Sequence, residues 1–145
     1  MKRYLIIVGI VVLGWYLWYY LNHPLGVRVV IRGHEFPVEI AATESEKIKG
    51  LGGRSSMSDD RGMLFPYRER NHYSFWMKDM QFPLDIVWID DKTIIEIHKN
   101  VPIPVGESLP FYRPQEPVDK VLELNAGTTD KYGIQVGDAI KILTR

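Results

Sequence analysis

The chain has 145 residues, with 18 basic and 18 acidic side chains, so its formal net charge is zero. A neutral chain lacks the basic excess that binding to a phosphate backbone requires, which argues against a nucleic-acid partner. The absence of cysteine excludes a thiol nucleophile, a disulfide framework, a cysteine-based zinc site and a lipidated cysteine.

The N-terminal segment is predicted to be a membrane anchor. Residues 4–21 contain no charge and no proline, and a helix of that length spans roughly 27 Å, close to the hydrocarbon thickness of a bilayer. Lys2 and Arg3 precede the run and favour a cytoplasmic N-terminus. Aromatic rings that settle at the lipid–water boundary stand at the other end, namely Trp15, Tyr16, Trp18, Tyr19 and Tyr20.

This pattern predicts a single-pass protein of the inner (cell) membrane. The anchor would be residues 1–22, the linker residues 23–27, and the extracytoplasmic domain residues 28–145. The alternative is a cleaved signal peptide, which requires a shorter apolar core and a small-x-small cleavage site. No Ala-x-Ala pattern follows the apolar run, so we favour the anchor.

The rest of the chain has the pattern of short strands with one or two short helices. Residues 43–51 are predicted to form a helix, because Thr43 and Glu46 make a capping box, and residues 129–132 a single helical turn. Many short strands favour a mainly β (α+β) fold with a compact, barrel-like, mostly antiparallel sheet. The predicted strands are residues 27–32, 36–41, 62–66, 73–78, 84–89, 93–98, 118–125 and 139–143.

Residues 100–117 are predicted to be irregular. This segment holds five prolines, which exclude a long helix or a central strand. Long irregular loops inside compact domains often carry function. The segment is therefore a candidate cover for a binding site.

Several phrases in the strands are similar to those of a known family. They are Arg61-Gly62-Met63-Leu64-Phe65, Phe75-Trp76-Met77-Lys78, Pro83-Leu84-Asp85-Ile86 and Val121-Leu122-Glu123-Leu124. Over roughly residues 28 to 143 the chain resembles the domain of unknown function 192 family. The resemblance implies a compact β-barrel-like domain, often behind an N-terminal signal or anchor. The family has no established activity, so the resemblance implies no catalytic residues. Gly52 departs from the family pattern, which usually has a methionine there.

Charged residues inside apolar strands are the candidates for a site. Alternation in residues 84–89 leaves both strand faces apolar apart from Asp85, so this carboxylate is expected to be buried and hydrogen-bonded. In the predicted strand 118–125, Glu123 shares a face with Val121 and Asn125. Its carboxylate is therefore also expected to be at least partly buried and hydrogen-bonded.

Two basic residues complete the candidate site. Lys78 shares a strand face with Trp76, and Arg54 follows a double glycine that brings it close to the sheet. The ligand-binding candidates are therefore Arg54, Trp76, Lys78, Asp85, Glu123 and Asn125.

The site hypothesis places Arg54 and Lys78 opposite the two carboxylates, across one cleft covered by Trp76 and the proline-rich segment. Such a cleft would bind a small polar or anionic ligand. One alternative is a membrane-tethered hydrolase that uses Asp85 and Glu123 as acid and base. Others are an internal ion-pair network that fixes the barrel and a structural or assembly role in the cell envelope.

No cofactor and no metal are expected. The four histidines are scattered without metal-ligand spacing, and no phosphate-binding glycine loop or hydrolase nucleophile motif is present. The function predicted from sequence is a membrane-anchored binding or accessory module whose partner is a small ligand or a neighbouring envelope protein.

Overall fold

The computed structural model describes residues 26–106 and 108–144. Within them the chain forms nine strands and two short helices. In chain order the elements are β1 (Arg28–Ile31), β2 (His34–Ile40), α1 (Glu44–Lys49), β3 (Gly62–Asn71), β4 (Phe75–Trp76), β5 (Leu84–Asp90), β6 (Thr93–Val101), β7 (Phe111–Tyr112), β8 (Val118–Asn125), α2 (Thr128–Lys131) and β9 (Ile140–Leu143).

Seven of these strands form one curled sheet, in the order β6-β5-β8-β3-β2-β1-β9. Its strand pairs are antiparallel except β2 and β3, which run parallel. The curl brings the two edges together, because Ile94 at the start of β6 exchanges backbone hydrogen bonds with Gly137 and Asp138, just before β9. The prediction of a mainly β, mostly antiparallel fold is confirmed, and its observed form is a half-barrel.

The central strands carry hydrophobic side chains on both faces because each face covers a different core. The enclosed core lies inside the curl and receives side chains from all seven strands. The outer core lies on the opposite face of β3, β5 and β8, under β4 and the segments around it. Along β5, Val87 and Ile89 belong to the enclosed core, whereas Ile86 and Trp88 belong to the outer core.

The first helix begins as its sequence predicts. The Thr43 side chain accepts a hydrogen bond from the Glu46 backbone N–H at 3.3 Å, and the Glu46 carboxylate accepts one from the Thr43 N–H at 2.8 Å. The chain then turns so tightly that a Cβ at Gly52 would lie 2.9 Å from the carbonyl oxygen of Lys49. This close approach leaves no room for the methionine that is usual in the family.

Two strands differ most from the prediction, and the other boundaries agree to within one to three residues. The predicted strand 73–78 is reduced to Phe75–Trp76, because its partner β7 is only two residues long and lies inside the segment predicted to be irregular. The predicted strand 62–66 continues to Asn71, after an irregularity in its pairing with β8 beyond Pro66. Pro66 lies beyond Leu64, the last residue of β3 that pairs with β2, and proline is tolerated where a strand lacks a partner on one side.

The predicted anchor, residues 1–22, lies outside the described residues, as do linker residues 23–25. In the part of the chain that the structure describes, no helix is long and apolar enough to cross a membrane.

Candidate functional site

An open cleft of about 970 Å³ lies between α1, the second half of β3 and the β4–β7 pair. Aromatic residues form much of its lining, with Tyr67 and Tyr73 on one side and Trp76 and Phe111 on the other. Polar and charged side chains stand among them, namely Thr43, Glu44, Lys47, Arg68, Glu69 and Ser74. Aromatic surface combined with a few polar groups is typical of small-molecule sites.

Contacts with neighbouring side chains hold the tyrosine side of the cleft in place. The rings of Tyr67 and Tyr73 stack with their centroids 3.5 Å apart. The ammonium group of Lys47 lies 4.4 Å from the centroid of the Tyr67 ring and 3.0 Å from a carboxylate oxygen of Glu44. These contacts occupy both faces of Tyr67, so this ring is fixed before any ligand arrives.

The opposite side is built by the two shortest strands. Trp76 and Phe111 pair across β4 and β7, and their ring centroids are 5.6 Å apart. The ammonium group of Lys78 lies 5.9 Å from the Trp76 ring. Phe111 is 57% exposed, so its ring is available for contact.

A smaller cavity of about 50 Å³ adjoins the cleft and shares Lys47, Ile48, Tyr67, Ser74 and Trp76 with it. Its remaining lining comes from the end of α1, the outer core and the residues after β4, and it includes Lys49, Gly50, Lys78, Met80 and Glu123. A space of this size holds one or two waters or one small polar group.

Glu123 is the buried polar group of this cavity. It is 5% exposed, and its Oε2 atom has no hydrogen-bond partner among the described residues. It belongs to β8, where it pairs with Ile86 of β5 and Met63 of β3, and a Cβ at Gly50 would lie 3.9 Å from its Oε2. The carboxyl therefore projects from the central sheet toward the end of α1.

Burial raises the pKa of Glu123 to about 8. The physical cause is desolvation, since an apolar environment disfavours the charged form. At neutral pH the group is therefore mostly a protonated carboxylic acid, which can both donate and accept a hydrogen bond. Burial also raises the pKa of the neighbouring Tyr67, with smaller contributions from Tyr73, Glu44 and Glu123.

Of the six candidates from the sequence, the structure brings three together. Trp76, Lys78 and Glu123 line the same small cavity. The other three lie elsewhere and are bound to other groups.

Arg54 and Asn125 have structural partners outside the cleft. The Arg54 guanidinium donates two hydrogen bonds to the Glu39 carboxylate, at 2.6 and 2.8 Å, and these hydrogen bonds hold the pKa of Glu39 below its usual range. The Asn125 amide donates to the carbonyl oxygen of Met57 at 2.8 Å. Arg54 does lie close to the sheet, as predicted, but its guanidinium binds Glu39 of β2 and does not line the cleft.

Asp85 is fully buried, and its carboxylate accepts four hydrogen bonds. The donors are the backbone N–H groups of Asn100, Gly127 and Thr129, at 2.8, 3.2 and 2.9 Å, and the Thr129 hydroxyl at 2.7 Å. The expectation that Asp85 is buried and hydrogen-bonded is confirmed. Its partners tie β5 to the end of β6 and to the start of α2.

The expected common cleft for the two carboxylates does not form. Asp85 pairs with Leu124, and the next pair along is Ile86 with Glu123. Directly paired residues share a face and successive residues alternate. Asp85 therefore lies on the face of the enclosed core and Glu123 on the face of the outer core, so they cannot act on one substrate as acid and base. The predicted ion-pair network does not form either, since Arg54 pairs with Glu39.

The sequence reasoning missed most of the cleft lining, including Lys47, Lys49, Tyr67, Tyr73 and Phe111. Lys47 and Lys49 lie in the last turn of α1, where lysines are usually exposed to solvent, so nothing in the sequence marked them as cleft residues. Tyr67 follows Pro66 within β3, and Tyr73 lies just before β4. Both rings are partly buried, and only the tertiary structure brings them together.

Comparisons with known proteins agree with this architecture. No curated protein matches the chain. A Sinorhizobium meliloti protein, described as a candidate transcription regulator, is 38% identical, with a TM-score of 0.70 over 80% of this chain and 91% of that chain. A Novosphingobium aromaticivorans protein of unknown function is 30% identical, with a TM-score of 0.72 over 82% of this chain and 89% of that chain.

The sequence matches the DUF192 family, described as an uncharacterized ACR, over residues 27–142. The phrases that carried the resemblance all lie within this range, and the half-barrel supplies the fold that the resemblance implied. Because the match covers most of the chain, the protein belongs to the DUF192 family.

Proposed function

We propose that this protein is a binding module and that the cleft between α1, β3 and the β4–β7 pair receives a small polar or anionic ligand. The observation that carries the proposal is the buried carboxyl of Glu123, whose Oε2 has no partner within residues 26–106 and 108–144. An unsatisfied buried polar atom costs about 1–3 kcal/mol. A ligand group that enters the adjoining cavity would supply the missing hydrogen bond.

The shape of the cleft supports the same function. Its volume of about 970 Å³ is at the upper end of the range for small-molecule sites. The stacked tyrosines are held in place by Lys47, while Trp76 and Phe111 leave apolar surface open to solvent. A fixed site of this kind binds with little ordering cost.

A thermal-shift screen of the full-length chain against small polar and anionic compounds tests the proposal. A compound that binds raises the melting temperature by mass action. Trp76→Ala removes the half-exposed cleft wall without opening the sheet, and we expect it to abolish the shift. Lys99→Gln is the control, because Lys99 pairs with Asp130 away from the cleft and should leave the shift unchanged. If no compound shifts the melting temperature, or Trp76→Ala responds like the wild type, the cleft is not a ligand site.

We also propose that the protein is anchored in the inner membrane by residues 1–22, with its N-terminus cytoplasmic and its domain extracytoplasmic. The support is the uncharged run of residues 4–21 between Lys2–Arg3 and the aromatic cluster. A linker of residues 23–27 spans roughly 15 Å when extended. The cleft would then lie close to the membrane surface, within reach of lipids and neighbouring envelope proteins.

Because the chain has no cysteine, single cysteines can report its orientation. Glu116→Cys, at an exposed loop position, is expected to react with a membrane-impermeant maleimide in intact spheroplasts as fully as after lysis. A cysteine inserted between Met1 and Lys2 keeps both orienting charges, serves as the opposite control and should react only after lysis. Labelling of Glu116→Cys only after lysis would contradict the proposed orientation.

An assembly role is a second candidate, favoured by a separate observation. Four large hydrophobic side chains are exposed on the segment from β6 to β7, namely Ile103, Val105, Leu109 and Phe111. Exposed apolar residues concentrated on one segment are typical of protein contact surfaces. The net charge of zero gives no support to nucleic-acid binding, so the description of the Sinorhizobium meliloti protein does not enter the proposal.

A further inference from the structure

The charges around the small cavity restrict the chemistry of its occupant. Its charged lining residues are Lys47, Lys49, Lys78 and Glu123. Lys47 has a counter-ion, Glu44, at 3.0 Å. Lys49 and Lys78 form no ion pair with any residue in the described ranges 26–106 and 108–144. Two lysines without a counter-ion therefore line the cavity together with one carboxyl, and the Lys78 ammonium group lies 5.9 Å from the centroid of the Trp76 ring.

Glu123 does not serve as the counter-ion of these lysines. No ion pair joins it to a lysine within the described residues, and burial raises its pKa to about 8. The carboxyl is thus mostly protonated at pH 7, and its Oε2 atom has no hydrogen-bond partner within residues 26–106 and 108–144. A buried hydrogen-bond donor and two lysines without a counter-ion in the lining of one cavity favour an occupant that is both an anion and a hydrogen-bond acceptor.

We propose that the ligand is an organic carboxylate, an inference that rests on the proposed function of the cleft. One carboxylate oxygen of the ligand accepts a hydrogen bond from the Glu123 carboxyl. The same group lies near the ammonium groups of Lys49 and Lys78. The apolar part of the ligand extends into the cleft and packs against Trp76.

The sizes of the two spaces fit this division of the ligand. The inner cavity of about 50 Å³ accommodates a group of a few heavy atoms, since one water occupies about 30 Å³ in the liquid. The outer cleft holds a much larger body against aromatic surface. A ligand with an ammonium group in the cavity would instead meet Lys49 and Lys78 as like charges.

The pH dependence of binding follows from the protonation of Glu123. The titratable groups that line the cavity with it are Lys47 and Lys49 at the end of α1, Tyr67 on β3 and Lys78 after β4. The carboxylate ligand binds the protonated form of Glu123, so its affinity is constant well below pH 8. Above pH 8 the affinity falls about tenfold per pH unit, because the carboxyl must regain a proton.

Calorimetric titration of the full-length chain with 3-phenylpropionate tests this, with the corresponding amide and amine as comparison ligands. The acid stays ionised between about pH 6 and about pH 9.5, so its pH dependence reports the protein. We expect the acid to bind at least about tenfold more tightly than the amide at pH 7. We expect the amine not to bind.

Variants separate the contributions of the cavity residues. Glu123→Gln keeps a donor and loses the titration, so binding should persist and become independent of pH above pH 8. Lys49→Gln and Lys78→Gln should each weaken binding by about three- to tenfold. Lys99→Gln is the control, because it removes one positive charge, as the other two lysine variants do. Lys99 pairs with Asp130 away from the cavity, so this variant should not change binding.

Three results would overturn the inference. One is binding of the amine that strengthens above pH 8, which would show a cation site. Another is binding of the acid with the same pH dependence in Glu123→Gln as in the wild type. The third is no binding of the acid while other compounds bind in a Trp76-dependent manner, an outcome that leaves the proposed function intact. If no compound binds at all, the proposed function fails first.

Discussion

Replacing Asp85 with alanine is expected to destabilise the folded chain by about 3–5 kcal/mol. The carboxylate is fully buried and accepts four hydrogen bonds. Its removal leaves the buried N–H and hydroxyl of Thr129 without an acceptor, and it takes away the acceptor of the N–H groups of Asn100 in β6 and Gly127 before α2. Asn100 and Gly127 both have positive φ, 52° and 82°, and their hydrogen bonds to the carboxylate help to hold this backbone conformation.

Urea denaturation followed by tryptophan fluorescence measures this loss. Asp85→Asn is the sharper variant, because it keeps the shape of the side chain but presents an NH₂ group to several N–H donors. We expect it to be destabilised by about 2–4 kcal/mol. Asp130→Asn is the matched control, since Asp130 is exposed and pairs with Lys99 on the surface, and its effect should stay within about 1 kcal/mol. A loss below about 1 kcal/mol for Asp85→Asn would contradict the prediction, because it would show that one amide oxygen satisfies the donors as well as the carboxylate does.

The pH dependence of stability is expected to be dominated near neutrality by Glu123. Its pKa is about 8 in the folded chain, against an ordinary value of 4.5. The folded state therefore holds a proton that the unfolded state has lost between these two values. Stability falls as pH rises, by about 1.4 kcal/mol per pH unit. The stabilisation is fully present below pH 4.5 and is lost by about pH 8, a change of about 4–5 kcal/mol across that window.

Glu123→Gln isolates this contribution, because the amide does not titrate and fits the same space. Urea denaturation at about pH 5, 7 and 9 should show a wild type that weakens with pH and a variant that does not. Relative to the wild type, the variant should gain about 4 kcal/mol between pH 5 and pH 9.

The control for this series is Glu116→Gln, an exposed carboxylate whose removal should leave the pH profile unchanged. Glu39 acts in another window, because its pKa is lowered and its contribution is lost only on acidification. Parallel profiles for the wild type and Glu123→Gln would show that the buried carboxyl is hydrated or paired. In that case the support for the proposed ligand site would be lost as well.

The site was partly predictable from sequence, and the reason differs between residues. A carboxylate inside an apolar strand must be buried and satisfied, which identified Asp85 without coordinates. The same argument selected Glu123, but it could not show that Asp85 has four donors whereas Glu123 Oε2 has none within the described residues. Arg54, which lies between α1 and β3, was predicted to line the cleft because its partner Glu39 on β2 could not be identified from the sequence.

Local chemistry alone determined several features of this protein. The capping box of Thr43 and Glu46 started α1, and the alternation around Asp85 predicted a strand covered on both faces, because both signals act within a few residues. The relative placement of distant strands was decided only by the tertiary structure. A shift of one residue in the pairing of β5 with β8 would exchange the faces of all side chains on one strand. That register separates Asp85 from Glu123 and leaves Glu123 beside Trp76 and Lys78.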